Sequence, residues 1–251
     1  MVLGGGPLSA DLLVFDKDGV LLDFHAYWVT LSRLRAEAIA RLAGRDDWGQ
    51  PLLAGWGVDP QGRVRPTGVL ATGTRVEACL MAATWLHHAG LPWTTARELA
   101  AEGFASAERE AAPVLRGAPL PGAARALTTL RAAGWRFALA TTDRTASAEA
   151  FLADMGLRDA FASVVGGDRV ETSKPDPAMF LLACEEAGVP PGRAVMVGDT
   201  DVDLRMGRRA RACATIGVLS GVGTMDLLAP HADLVLAGVV DLPGLGPAPQ
   251  R

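Results

Sequence analysis

Asp16 is the last residue of the short apolar run 11–16, and Asp18 stands two positions further along the chain. Residues spaced i and i+2 on an extended segment point the same way, so both carboxylates can flank one reacting atom. An ionised carboxylate can act as a nucleophile, and a protonated one can act as a general acid. The spacing therefore indicates covalent catalysis by one acid with proton transfer by the other.

Further polar residues follow other apolar runs. Thr141 ends the run 135–141 and offers a hydroxyl donor, and Lys174 lies in a later loop. Lysine carries a compact positive charge that suits a phosphoryl oxygen or neutralises a nucleophilic carboxylate. Phosphoryl transfer depends mainly on positioning and on such charges.

A group of acids, Asp199, Asp201 and Asp203, follows the apolar run 193–198. Acids that gather with Asp16 and Asp18 at one edge of a sheet repel each other and need a compensating cation. Oxygen ligands of this kind favour a hard divalent ion, Mg²⁺ above all.

The elements that must position these residues form an α/β pattern. Buried strands alternate with helical segments, which predicts a parallel sheet with helices on both faces. In such sheets ligands bind outside the carboxyl ends of the strands. The predicted strands are 11–16, 135–141, 161–167, 193–199, 212–218 and 232–236.

A long helical insertion interrupts this pattern after the first strand. We predict a core of 1–23 with 118–251, an inserted domain of 24–117 and a frayed tail, 244–251. Five of the six tryptophans lie in the insertion. They either fill the core of a small helical domain or line an apolar pocket. Within the insertion, the stretch 44–74 is rich in Gly and Pro and is interpreted as a loop or irregular insert.

Composition excludes other classes of protein. With 24 basic and 28 acidic side chains the net charge is −4, so no basic field favours nucleic acid. No apolar run is long enough to span a membrane, and the N-terminus lacks the pattern of a signal peptide. We therefore expect a cytoplasmic protein, monomeric or homodimeric, without a nucleic-acid or membrane partner.

Four segments in order resemble the haloacid dehalogenase-like hydrolases, and within them the branch similar to phosphoglycolate phosphatase. They are FDKDGVLLD (15–23), LATTD (139–143), SKPDP (173–177) and VGDTDVD (197–203). The resemblance covers about residues 10–245 and implies a Rossmann-like core with an inserted α-helical cap domain. It also implies a Mg²⁺-dependent phosphatase that acts on a small phosphorylated metabolite.

The resemblance assigns roles to individual residues. It implies that Asp16 attacks phosphorus and that Asp18 protonates the leaving oxygen and later activates water. Thr141 and the backbone near Thr142 would hold the phosphoryl group, and Lys174 would offset its charge. The implied ligands of Mg²⁺ are Asp16, the carbonyl of Asp18, and Asp199. Asp203 would act through a metal-bound water or by orienting Lys174.

Three positions depart from the family pattern. Lys17 replaces a residue that is usually apolar, and is interpreted as a solvent-facing or cap-facing side chain or as a second cation near the leaving group. Asp143 replaces the Asn-plus-basic pattern that is more usual after the Thr of the second motif, and Arg211 stands where Gly is common at a helix end. His25 either contacts the leaving group as a substrate-binding residue or is packed or solvated.

Other functions remain open on the same residues. A sugar-phosphate mutase would use the same site. Cleavage of a C–P bond through a cap lysine is disfavoured because 24–117 contains no lysine. A dehalogenase needs no metal and leaves Asp18 and Asp199 unexplained. A non-catalytic binding module is the alternative from another class.

Overall fold

The computed structural model describes residues 2–3, 6–7, 10–111, 115 and 117–245. The chain divides into two compact units, Met1–Asp23 with Pro119–Arg251, and Phe24–Ala118. The division predicted from the sequence had its breaks after residues 23 and 117. The roles of catalytic core and cap that it assigned to the two units remain predictions.

The first unit is built on a six-stranded sheet in which every pair of neighbours is parallel. Its strands are β3 (Leu12–Phe15), β4 (Arg136–Ala140), β5 (Phe161–Val165), β6 (Ala194–Gly198), β7 (Ala214–Val218) and β8 (Leu234–Leu236), and a separate antiparallel pair is formed by β1 (Val2–Leu3) and β2 (Gly6–Pro7). The spatial order is β5-β4-β3-β6-β7-β8. Every residue of β3 is buried, as expected for a central strand that is covered on both faces. The predicted α/β class is confirmed.

The second unit is helical. A π-helical turn, His25–Val29, leads into α1 (Thr30–Ala43), and a 3₁₀ turn, Asp46–Trp48, leads into α2 (Gly49–Trp56); these are followed by α3 (Val69–Thr72), α4 (Arg75–His88) and α5 (Trp93–Ala111). Trp48 and Trp56 are buried in its core, and Trp56 packs edge-on against Phe104 at 5.5 Å between ring centroids. Trp93 is 40% exposed. Trp85 and Trp28 are partly buried against hydrophobic clusters of the same unit, so core packing explains four of the five tryptophans that the insertion carries.

The interpretation of 44–74 as a loop was wrong, because the segment contains α2 and α3. The buried residues Trp48, Leu52, Leu53 and Trp56 recur at helical spacing and form one apolar face. Pro51 lies in the first turn of α2, where its missing N–H costs no helical hydrogen bond. Tertiary burial thus stabilises a helix that its Gly and Pro content had concealed.

Helices of the first unit alternate with its strands along the chain, as the crossover connections of a parallel sheet require. They are α6 (Ala123–Ala132), α7 (Thr145–Asp154), α8 (Ala178–Ala187), α9 (Asp201–Arg209) and α10 (Met225–Leu228), with 3₁₀ turns at Arg158–Ala160, Gly167–Arg169, Pro191–Arg193 and Val239–Leu245. The α6 helix was not predicted, although Ala123, Leu127 and Leu130 lie on its buried face. Within the described residues, no helix combines the length and apolar character that crossing a bilayer requires.

Two further predictions concern helix and chain ends. Arg211, just after α9, adopts φ = 58°, the left-handed conformation that Gly would adopt at lower cost. The predicted frayed tail, 244–251, falls mostly on 246–251, which lie outside the described residues.

Candidate active site

Three loops meet where β3, β4 and β6 end. Phe15 is in register with Leu139 and with Val197 on the neighbouring strands. The residues that follow these positions therefore emerge at one edge of the sheet. Asp16 is the residue after β3, and its backbone N–H donates to the carbonyl of Val197 at 2.9 Å. The predicted convergence at the carboxyl edge is thus present in the backbone pairing itself.

Asp199, the residue after β6, lies against backbone that only glycine permits. A Cβ on Gly19 would overlap the Asp199 carboxylate and would also lie 2.8 Å from the Cα of Gly221. A Cβ on Gly221 would overlap the same carboxylate. Gly19 has φ = 77°, which also favours glycine, and Val222 N–H donates to Asp199 Oδ2 at 2.9 Å. The loop after β7 therefore closes on Asp199, a contact that no sequence motif had indicated.

Lys174 joins two carboxylates that come from different elements. Its Nζ donates to Asp16 Oδ1 at 2.5 Å and to Asp203 Oδ1 at 2.7 Å, and its side chain is only 3% exposed. Burial alone would lower the pKa of Lys174, but the attraction of Asp16 and Asp203 outweighs it and raises that pKa. These contacts favour the charged form of Lys174, which holds Asp16 in place.

Asp203 is held at both of its oxygens. Oδ1 accepts from Lys174, while Oδ2 accepts from the backbone N–H of Thr200 at 3.1 Å and from the Thr200 hydroxyl. Thr200 immediately precedes α9, and Asp203 lies in the first turn of that helix. Of the two roles predicted for Asp203, binding through a metal-bound water and orienting Lys174, these contacts favour the second.

Asp16, Asp199 and Asp203 are all buried, and each offers a carboxylate oxygen within 4.8 Å of the others. Burial raises the pKa of Asp16 to about 7, against the lowering effect of Lys174, with Asp203 and Asp18 adding repulsion. Burial, together with Asp203 and Asp16, also raises the pKa of Asp199 well above its usual value. Buried acids with raised pKa values lack sufficient positive charge around them. A set of hard oxygen donors short of positive charge fits a divalent cation such as Mg²⁺.

The second half of the site surrounds Asp18, whose side chain is 13% exposed. The ammonium of Lys17 lies 3.5 Å from Asp18 Oδ1 and donates to Asp143 Oδ2 at 2.5 Å. Asp143 in turn donates its backbone N–H to Thr141 Oγ1 at 3.2 Å, and its Oδ1 accepts from the backbone N–H of Arg144 at 2.7 Å. The Lys17–Asp143 contact links the loop after β3 to the loop after β4, and the other three contacts lie within one loop each.

The interpretation of Lys17 as a solvent-facing side chain was wrong, because Lys17 is only 2% exposed. Its charge is stabilised by Asp143. Two of the three positions that depart from the pattern of the resemblance, Lys17 and Asp143, thus pair with each other. Both lysines of the chain are buried, and each bridges two carboxylates.

Comparison with known proteins settles the family. The model of the haloacid dehalogenase-like hydrolases matches residues 10–211. The chain belongs to this family. The resemblance that four motifs had indicated is therefore confirmed.

Curated relatives match this family member over shorter stretches. "Probable phosphatase IndB" of Dickeya dadantii is 40% identical over 116 residues, which are 46% of this chain and 50% of the relative. A phosphoglycolate phosphatase of Psychrobacter arcticus is 38% identical over 101 residues, which are 40% of this chain and 44% of the relative. The chain thus spans about half the length of the curated relatives it matches, or less.

Solved structures show the same fold over nearly the whole chain. A predicted phosphoglycolate phosphatase from Haemophilus somnus superposes with a TM-score of 0.74 at 18% identity, over 96% of this chain and 99% of the other. CbbY from Rhodobacter sphaeroides, in complex with phosphate, superposes with a TM-score of 0.59 at 24% identity, over 93% of this chain and 96% of the other.

The structure brings most of the predicted site residues of this hydrolase-family chain into one unit. Thr141 is buried, Thr142 is half-buried in the same loop, and Asp18 adjoins Lys17. His25 is exposed and belongs to the other unit, so its role in substrate binding stays a prediction. Sequence reasoning missed Thr200, Val222 and the pairing of Lys17 with Asp143.

Proposed function

We propose that the chain is a Mg²⁺-dependent phosphatase that hydrolyses a small phosphorylated metabolite through an aspartyl-phosphate on Asp16. The observation that carries the proposal is the Asp16 carboxylate held 2.5 Å from the Lys174 ammonium, with a second acid, Asp18, two residues further. The names of the relatives, phosphatase and phosphoglycolate phosphatase, support the same reaction.

In the proposed first half-reaction, a carboxylate oxygen of Asp16 attacks phosphorus as the bond to the leaving oxygen breaks. Lys174 has three N–H donors and uses two of them on Asp16 and Asp203, so the third can donate to a phosphoryl oxygen. The Thr141 hydroxyl supplies another donor. Asp18 transfers its proton to the leaving oxygen, so that the product leaves as a neutral alcohol.

In the second half-reaction, water attacks the phosphorus of the aspartyl-phosphate and the bond to Asp16 breaks. Asp18, now ionised, accepts the proton of that water and returns to its starting state. Inorganic phosphate and free Asp16 are the products. The same residue acts as acid in one step and as base in the next, which its single position beside Asp16 permits.

The proposed metal ligands are Asp16, the carbonyl of Asp18, and Asp199, while Asp203 orients Lys174. A bound Mg²⁺ would neutralise the phosphoryl oxygens and lower the pKa values of the buried acids. Such lowering is required because burial raises the pKa of Asp16 to about 7, which favours its protonated form over the ionised form near neutral pH. A nucleophilic carboxylate must be ionised.

Hydrolysis of p-nitrophenyl phosphate by the wild-type chain and by two Asp→Asn variants tests the proposal. Asp16→Asn should abolish turnover, and a chelator should do the same to the wild type. Asp11→Asn is the matched control. Asp11 immediately precedes β3, at the end of the strand remote from Asp16, and its Oδ2 lies 2.6 Å from Arg193 Nε. Full activity of Asp16→Asn, or activity that a chelator leaves unchanged, would contradict the proposal.

A panel of phosphorylated metabolites, phosphoglycolate included, would then identify the substrate. Release of inorganic phosphate supports a phosphatase. Net isomerisation of a hexose phosphate without phosphate release would instead support the mutase alternative. The oligomeric state, monomer or homodimer, remains a prediction that light scattering can test.

A further inference from the structure

The Lys17–Asp143 pair lies beside the proposed acid, yet the reaction as proposed uses neither residue. Both belong to the first unit, and the ammonium of Lys17 stands between the carboxylates of Asp143 and Asp18, at 2.5 and 3.5 Å. The arrangement repeats that of Lys174, which stands between Asp16 and Asp203. Each acid of the Asp16–Asp18 pair thus has its own buried lysine.

Stability alone does not explain such a pair. Taking two charges out of water costs as much free energy as their attraction returns, so an apolar pair of similar volume is often neutral or more stable. The chain uses arginine for 22 of its 24 basic residues, so a lysine at this place is a departure from its own composition.

The contacts of Asp143 explain what the pair can do. Asp143 is anchored through its backbone to Thr141, the proposed donor to the phosphoryl group. Lys17 is anchored to Asp143 and reaches Asp18. A chain of contacts therefore runs from the residue that holds the phosphoryl group to the residue that must protonate the leaving oxygen.

We propose that Lys17, held by Asp143, is a positioning residue that sets the Asp18 carboxylate at a constant distance from the phosphoryl-binding loop. The inference rests on the proposed function and deepens it. Asp143 acts only through Lys17 and has no separate contact with the substrate. Losing either residue should therefore impair the step in which Asp18 transfers its proton.

Two aryl esters of similar size separate this step from the others. Phenolate is a much more basic leaving group than 4-nitrophenolate, so phenyl phosphate depends more on protonation of the leaving oxygen. For Lys17→Met we expect kcat/KM to fall at least tenfold with phenyl phosphate. The fold-loss with p-nitrophenyl phosphate should be smaller by a factor of at least three. For Asp143→Asn we expect a smaller loss with the same preference.

The double variant, Lys17→Met with Asp143→Asn, distinguishes positioning from packing. The double variant lacks the Asp143 carboxylate that Lys17→Met would leave without its ammonium, so its melting temperature should lie above that of Lys17→Met. Its loss of kcat/KM should nevertheless equal that of Lys17→Met, because Asp143 acts only through Lys17. Should Lys17→Met alone fail to fold, the double variant provides the comparison between the two esters.

The matched control is the Asp11–Arg193 pair at the opposite end of β3. Asp11→Asn with Arg193→Met should leave kcat/KM for both esters within threefold of the wild type. Recovery of activity together with stability in the Lys17/Asp143 double variant would overturn the inference, and so would equal losses with both esters. A wild-type chain inert toward both esters and the metabolite panel would contradict the proposed function itself.

Discussion

Replacing Lys174 by Arg tests whether the site needs a compact ammonium or only a positive charge. The side chain is 3% exposed and its Nζ lies 2.5 Å from Asp16 Oδ1 and 2.7 Å from Asp203 Oδ1. These acids come from different elements, the loop after β3 and the first turn of α9. A guanidinium is planar and matches one carboxylate with two parallel hydrogen bonds, so it cannot reproduce the ammonium's arrangement between two.

The expected loss follows from burial and from displacement of the nucleophile. Extra volume in a closely packed site costs about 1–3 kcal/mol of stability. A displacement of about 1 Å in the reacting group reduces the rate by about 10²-fold, which corresponds to about 2.7 kcal/mol of transition-state stabilisation. We therefore expect Lys174→Arg to fold with reduced stability and to lose at least about 100-fold in kcat.

The assay is kcat and KM for p-nitrophenyl phosphate at saturating Mg²⁺, together with unfolding in urea. Lys174→Met serves as the comparison, since it leaves Asp16 and Asp203 as unpaired buried acids and should cost about 3–5 kcal/mol of stability. Arg193→Lys is the control, because it makes the reverse exchange in a partly exposed pair. A kcat of Lys174→Arg within threefold of the wild type would refute the reasoning.

Three further predictions concern metal and backbone. Asp199→Asn should raise the melting temperature of the metal-free protein, because it relieves the repulsion among the buried carboxylates. It should also abolish the increase in melting temperature that Mg²⁺ gives the wild type. An undiminished increase in differential scanning fluorimetry would contradict Asp199 as a metal ligand. Because burial raises the folded pKa of Asp16 from 3.8 to about 7, metal-free stability should fall as pH rises from about 4 through about 7, by at most about 4 kcal/mol. Mg²⁺ should therefore stabilise more at pH 8 than at pH 5, and an equal or smaller effect at pH 8 would argue against this titration. Arg211→Gly should stabilise by up to about 1 kcal/mol, because relief of the left-handed strain exceeds the entropy cost of glycine; a lower urea midpoint would contradict it.

The sequence predicted the sheet and its reactive edge because both depend on local patterns. Short apolar runs become buried strands, and in a parallel sheet their carboxyl ends must lie together. Asp16, Thr141 and Asp199 could therefore be located from their position in the chain alone. The strand bounds differ from the predictions by at most two residues at each end.

The parts that were missed depend on tertiary contacts. The α2 helix forms because its apolar face is buried, although Gly49, Pro51 and Gly55 argue against a helix in isolation. The closure of Gly221 and Val222 over Asp199 joins residues more than twenty positions apart. Lys17 was interpreted as a solvent-facing or cap-facing side chain or as a second cation near the leaving group, whereas its pairing with Asp143, 126 residues away, allows its burial.

The charges at this edge of the sheet show why substrate and metal should bind together. Five carboxylates, from Asp16, Asp18, Asp143, Asp199 and Asp203, adjoin two ammonium groups. Both ammonium groups already pair with two acids each, so they cannot fully neutralise a phosphate dianion as well. The phosphate would meet a site of net negative charge unless a divalent cation entered with it or before it. The affinity for inorganic phosphate, a product of the proposed reaction, should therefore rise with Mg²⁺ concentration, and the affinity for Mg²⁺ should rise by the same factor with phosphate. Titration calorimetry of each ligand in the presence and absence of the other measures both factors, and independent binding would show that the buried acids are neutralised by protons instead.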